Sequence, residues 1–136
     1  MQLNPYLTFN GQCETAFKFY EQCLGGKIEA MMSYGESPMA EEVPSEWRNK
    51  IIHASLIVNE RVLMGSDCSP EQYEQTKGFS VLLDIDSPVK AERIFQALVA
   101  NGTVRMPMQK TFWAARFGML VDQFGIPWMI NSEPAA

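Results

Sequence analysis

His53 is the chain's single histidine, and therefore its only side chain whose unperturbed pKa lies near neutrality. Such a group can accept or deliver a proton at physiological pH, or anchor a ligand by either ring nitrogen. It lies in Lys50–Val58, which reads as a strand, and Glu60–Ser66 reads as another after a turn at Asn59-Glu60. If that turn is the tight two-residue kind, Ser55 faces Met64 and His53 faces Ser66 on one side of a hairpin. The set offers one candidate general base, two hydroxyls and one soft thioether. A one-residue bulge would reverse the reading, and His53 would then be an ordinary strand histidine bonded to a neighbour. The serines do not form a hydrolase triad, because no G-x-S-x-G elbow is present.

Other chemistry-bearing residues are scattered. Ser66-Asp67 could bond a ligand or start the turn toward Cys68-Ser-Pro70. Trp113, at a bend in Phe-Trp-Ala-Ala-Arg, could stack on a ligand or pack on a partner subunit, with Arg116 and Gln109 as polar companions. Tyr34 and Glu36 are weaker ligand candidates, and Trp128 reads as core. Glu36, Asp67 and Asp122 fall in expected loops, so His53 lacks facing carboxylates for a chelate. Cys13, Cys23 and Cys68 are odd in number and lack metal-type spacing, which suits reduced, packed thiols in a cytoplasm.

Composition narrows the function classes. With 136 residues, 46% of them apolar, the chain is long enough for one domain with a real core. A net charge of −5 without a basic cluster argues against nucleic acid and anionic membrane surfaces as partners. No apolar run approaches the roughly 18 residues of a membrane span. The opening Met1-Gln-Leu-Asn-Pro-Tyr has no basic start or signal core, so a cytoplasmic protein is expected.

The positioning elements repeat. Leu3–Phe9 is a strand candidate ending at Asn10-Gly11. Glu14–Leu24 carries Ala16, Phe17, Tyr20, Cys23 and Leu24 on one helical stripe, stopped by Gly25-Gly26, and Lys27–Tyr34 is a strand. Residues 35–49 lack periodicity and read as a long mobile loop, and 67–76 as a polar linker. In the second half, Gly78–Asp86 is an apolar strand. Ser87-Pro88 opens a helix with Ala91, Ile94, Phe95 and Leu98 buried, ended by Asn101-Gly102, and Thr103–Phe112 follows. Phe117–Val121 and Ile126–Asn131 form a closing hairpin around Asp122-Gln-Phe-Gly125, with Asp first and a left-handed glycine last. Phe17 maps to Phe95 and Gly25 to Gly102. The expectation is an α+β fold, one domain over residues 1–136, of two βαβββ modules (about 3–66 and 77–131) enclosing a concave front suited to small ligands.

Paired βαβββ modules resemble the glyoxalase, bleomycin-resistance and extradiol-dioxygenase (vicinal oxygen chelate) superfamily. Within it the chain is similar to the PhnB-like group, often labelled 3-demethylubiquinone-9 3-methyltransferase-like. The residues that carry the likeness are Asn4-Pro-Tyr-Leu-Thr-Phe9, Phe19-Tyr20, Leu24-Gly-Gly26, Tyr34-Gly-Glu36, His53-Ala54, Met64-Gly-Ser-Asp67, Thr111-Phe-Trp113 and Asp122–Asn131. Metal-dependent members place a His, Gln or Glu ligand on each of four strands. By position those slots fall on Pro5, Met64, Phe79 and Met129, none of which suits a hard or borderline cation.

The resemblance thus implies a degenerate cleft with no metal and no cofactor, in a homodimer. Alternation would line it with Pro127, Met129 and Asn131, with Met64, Ser66, Ser55 and His53, with Phe79, Val81 and Leu83, and with Pro5 and Leu7. The expected function is binding of a small apolar or aromatic molecule through His53, Ser55, Met64, Ser66, Phe79, Trp113, Met129 and Asn131. The alternative is a metal-free isomerase or lyase with His53 as its catalytic base, and less so a metal-dependent lyase or dioxygenase. The methyltransferase label is not read as an activity, because no glycine-rich loop follows a strand to hold a nucleoside-bearing methyl donor.

Overall fold

The strand and helix periods resolve into two compact units, Met1–Glu74 and Gln75 onward, in a computed structural model that describes residues 1–134. Each unit runs strand, helix, three strands, as the repeat predicts.

In the first unit β1 (Tyr6–Phe9), α1 (Cys13–Leu24), β2 (Lys27–Ser33), β3 (Ile51–Val58) and β4 (Arg61–Asp67) build a sheet of order β1-β4-β3-β2. β1 runs parallel to β4 and the other neighbours are antiparallel. Helix α1 forms because Cys13, Ala16, Phe17 and Tyr20 recur at helical spacing and bury together. Phe9 meets Phe17 edge-on at 6.1 Å, and Tyr20 lies 6.5 Å away. Gly25 ends the helix in the left-handed conformation (φ 73°), its N–H donating to the Glu21 carbonyl at 3.1 Å.

In the second unit β5 (Val81–Asp84), α2 (Pro88–Leu98), β6 (Thr103–Gln109), β7 (Arg116–Val121) and β8 (Pro127–Ser132) build the matching sheet, order β5-β8-β7-β6. The Ser87 hydroxyl accepts from the Lys90 N–H at 3.2 Å with Pro88 in the first turn, and Ala91, Ile94, Phe95 and Leu98 bury, as predicted.

Several boundaries differ from expectation. Strand β1 starts at Tyr6, not Leu3, and β5 at Val81, not Gly78, so Phe79 precedes its strand. Asp67 closes β4 and is no part of the linker. Helix α2 stops at Leu98, three residues before Asn101, because the next bonds span three residues instead of four, from Ala100 N–H to the Ala97 carbonyl (3.4 Å) and Gly102 N–H to the Val99 carbonyl (2.7 Å), and Asn101 takes the left-handed turn (φ 60°). The repeat is also better paired as Gly26 with Gly102. At each a Cβ would run into a strand carbonyl, that of Ile57 or of Val121.

The segment read as a long mobile loop holds three single 3₁₀ turns, Tyr34–Glu36, Ala40–Glu42 and Ser45–Trp47. Ser33 and Glu36 close a reciprocal capping box, and Ser33 thereby holds the Glu36 carboxyl below its usual range. Gly35 N–H donates to the Arg48 carbonyl at 2.9 Å, and the Tyr34 ring meets Trp47 edge-on at 6.0 Å. Local polar bonds organise this stretch, so hydrophobic periodicity could not reveal it.

Cys13 packs as expected, and burial, reinforced by the charges of Asp67 and Glu14, pushes its thiol far above the usual range. In native protein at pH 8, Cys13 should alkylate with iodoacetamide roughly 100-fold more slowly than in urea-unfolded protein, followed by peptide mass mapping. Equal rates would show that this end of α1 opens freely.

Candidate functional site

The turn Asn59-Glu60 has both residues left-handed (φ 47° and 69°), the geometry of a two-residue hairpin turn. It fixes Val58 against Arg61, Ser55 against Met64 and Ala54 against Gly65, so the predicted register holds as far as Ala54, where the ladder ends before His53 and Ser66. A Cβ on Gly65 would touch the Phe17 ring, which places Gly65 and its partners Ala54 and Leu7 on the helix side. Ser55, Met64 and Tyr6 therefore share the opposite face, since Tyr6 pairs with Met64. Thr8 and its partner Ser66 lie there too, as does His53 beside Met32. The Tyr6 and His53 rings stand 6.2 Å apart, tilted by 30°. The first unit thus gathers His53, Ser55, Met64 and Ser66 on one face and adds Tyr6, which sequence reasoning missed.

The second unit repeats the logic. A Cβ on Gly118 would touch Phe95 of α2, so Gly118, its partner Ile130, and Leu83 beyond face the helix. Met119, Met129 and Leu82 form one row across the opposite face, extended by Met106, and Phe117, Asn131 and Asp84 form the next, extended by Gln109. Asn131 Nδ2 donates to Asp84 Oδ1 at 2.6 Å. Trp113, half exposed, stacks edge-on against Phe117 at 5.4 Å, with Phe112 against its other side at 4.7 Å.

Three expected lining residues are thereby corrected. Leu7 is buried on the α1 side, and Val81 and Leu83 share the parity of the buried Trp128 and Ile130, so Tyr6, Leu82 and Asp84 take their places. The cause is a one-residue error in strand phase, which flips every side chain. Pro5 bonds β4 through its carbonyl, which accepts from Met64 N–H at 3.1 Å, and its parity is that of Leu7. Pro127, Met129 and Asn131 lie together as predicted, with Trp128 turned to the core.

Two of the three acidic residues expected in loops, Asp67 and Asp122, do structural work inside the fold. Asp67 is 2% exposed; its Oδ1 accepts from Cys13 N–H and its Oδ2 from Ile51 N–H, both at 2.9 Å. Tyr34 reaches it as well, donating its hydroxyl to the Asp67 carbonyl at 3.0 Å. Asp122 Oδ1 accepts from Phe124 N–H (2.8 Å) and Ile126 N–H (3.1 Å), while Oδ2 accepts from the Trp128 indole at 2.8 Å. Neither carboxylate is available to a ligand.

Among the described residues no three His, Cys, Asp or Glu side chains come together as a metal site. The strand positions facing one another across each parallel pair are Tyr6 with Met64 and Leu82 with Met129, a donor set that does not fit a hard or borderline cation. A groove of about 450 Å³ lies along α2, lined by Pro88, Val89, Glu92, Arg93, Gln96 and Arg116. It contains none of the main candidates, and Arg116 is engaged there with Glu92 at 3.7 Å. No described helix is long and apolar enough to cross a membrane.

Two units of strand, helix and three strands, each with a helix-free face, define an α+β protein of the glyoxalase/bleomycin-resistance fold class. A family enzyme of that description from Burkholderia phytofirmans matches at TM-score 0.65 and 14% identity, over 96% of this chain and 97% of its own, a likeness of fold alone. The chain itself belongs to the 3-demethylubiquinone-9 3-methyltransferase (PhnB) family, whose model matches residues 1–131. It is 38% identical to Protein YjdN of Escherichia coli K12 over 139 residues, covering 96% of this chain and 95% of that protein. Protein PA1353 from Pseudomonas aeruginosa is 50% identical, with TM-score 0.90 and 98% of both chains covered. A PhnB protein from Bacillus cereus shares the fold at TM-score 0.81 and 22% identity, over 97% and 99% of the two chains.

Proposed function

We propose that this protein binds a small, apolar or aromatic molecule on the helix-free sheet faces, without a metal. The supporting observation is the face of the first unit, where Tyr6 and His53 stand 6.2 Å apart beside Met64, Ser55 and Ser66. It joins flat rings and a soft thioether to a few polar points, the usual make-up of a ligand site. Trp113, Met129 and Asn131 extend the same chemistry in the second unit, while Phe79, exposed ahead of β5, is a flanking contact. In this reading the protein is homodimeric, as the superfamily resemblance implies, and cytoplasmic, as its unpaired cysteines suit. The family's name is not carried over as an activity.

A second reading makes His53 a general base in a metal-free isomerase or lyase, with the Tyr6 ring beside it as the favouring observation.

A thermal-shift screen of aromatic compounds tests the first reading, with elemental analysis of the same purified protein. Tyr6→Ala should weaken any hit about tenfold, near 1.4 kcal/mol, without lowering the ligand-free melting point by more than a few degrees. Stoichiometric zinc, nickel or iron would sink the metal-free reading. If a substrate is found, His53→Ala should abolish turnover; unchanged turnover removes His53 from the chemistry.

A further inference from the structure

Resting on the ligand-binding reading, we propose that the second unit selects ligands carrying a positively charged, N–H-bearing group beside their apolar body, and that Asp84 reads this charge. One row of the helix-free face runs Phe117, Asn131, Asp84, with Trp113 stacked on Phe117. Phe117 and Asp84 are two strand spacings apart, about 10 Å, the span of one ring and a short charged arm. Asp84 is exposed, and the 2.6 Å bond from Asn131 Nδ2 fixes its carboxylate.

That bond also settles what is missing. With Nδ2 committed to Asp84, Asn131 turns its Oδ1 the other way, where it is buried and has no hydrogen-bond partner. Asp84 thus presents an exposed acceptor, while the buried Asn131 acceptor without a donor is unfavourable. The adjoining row, Met106, Met119, Met129 and Leu82, supplies thioether and alkyl surface with no charge to answer Asp84. An anionic ligand would be repelled, and a neutral one would offer the carboxylate only uncharged hydrogen bonds, about half as strong. A planar cation supplies N–H donors to Asp84 and a positive edge to the Trp113 ring. The net charge of −5 favours the same sign.

Benzamidinium and benzamide are near-isosteric probes that differ in charge. Their binding to the full chain can be followed by the indole N–H resonance of Trp113, assigned with Trp113→Phe. Benzamidinium should bind at least about tenfold more tightly than benzamide, and Asp84→Asn should remove that preference. Asn still accepts from Asn131, so amide-spectrum dispersion should persist; Asp84→Ser provides an independent variant if it does not. Equal affinities, or a preference that survives both substitutions, overturns the charge selection and leaves the apolar-ligand reading standing. If neither probe moves the Trp113 resonance, the second unit's face is no ligand site and both statements fall for it.

Discussion

Asp67→Ala should destabilise the first unit by about 4 kcal/mol, lowering the melting temperature by roughly 15 °C. The carboxylate, 2% exposed, accepts from two backbone N–H groups that have no equivalent partner in the secondary structure around them. Cys13 N–H is in the first turn of α1, where the helix supplies no acceptor, and Gln12 contributes no side-chain cap. Ile51 N–H opens β3 just after the loop that carries Trp47 and Lys50. One side chain at the end of β4 thus ties the helix start and the strand bearing His53 to the same point. Truncation leaves both donors buried and unpaired, at about 1.5–3 kcal/mol each for bonds to a charged acceptor. Asp67→Asn keeps one good acceptor and should lose about half as much. Amide exchange at Cys13 and Ile51 and urea midpoints check this; a loss under 1 kcal/mol for the alanine variant would mean that water replaces the carboxylate.

Much of this arrangement was legible in the sequence, and the reason differs from element to element. Both helices announce themselves by apolar spacing, and the hairpin of β3 and β4 by a turn length that admits one register, which correctly set Ser55 opposite Met64. The last strand was equally readable, because Asp122 and Gly125 fix where Pro127 begins. The first strand of each unit was not. It is joined to its sheet only through a parallel partner distant in sequence, so no turn pins its phase, and Leu7, Val81 and Leu83 were placed on the wrong face. The signal that could have corrected this is Phe9, an aromatic two residues from Leu7, buried against Phe17 and Tyr20. In β5 the corresponding cue is Asp84, a mid-strand charge that belongs on the solvent side where no buried donors answer it. Asp67 was singled out as a ligand or turn residue, and its structural role escaped for another reason: a carboxylate that answers distant backbone donors leaves no local pattern.

Asp122→Ala should be as damaging as Asp67→Ala, about 4–5 kcal/mol, because three donors converge on that one side chain. Two come from the turn: Phe124 and Ile126 N–H groups fold over Oδ1, while Gly125 takes φ 87° and donates to the Asp122 carbonyl at 3.0 Å. The third is the indole of Trp128, 1% exposed, whose N–H would otherwise sit unpaired in the core. Turn and core are thereby locked in one register, and that register decides that Met129 and Asn131 face away from α2. The two contributions can be separated. Asp122→Asn can keep its carbonyl oxygen on the turn, but then presents an N–H to the indole N–H, a clash of donors worth about 2–3 kcal/mol. Trp128→Phe removes that donor, so the asparagine penalty should fall by about 2 kcal/mol in the Phe background, measured as a double-mutant cycle by urea unfolding. Additive penalties would show that Asp122 acts on the turn alone, and that the indole is held in the core by packing rather than by its hydrogen bond.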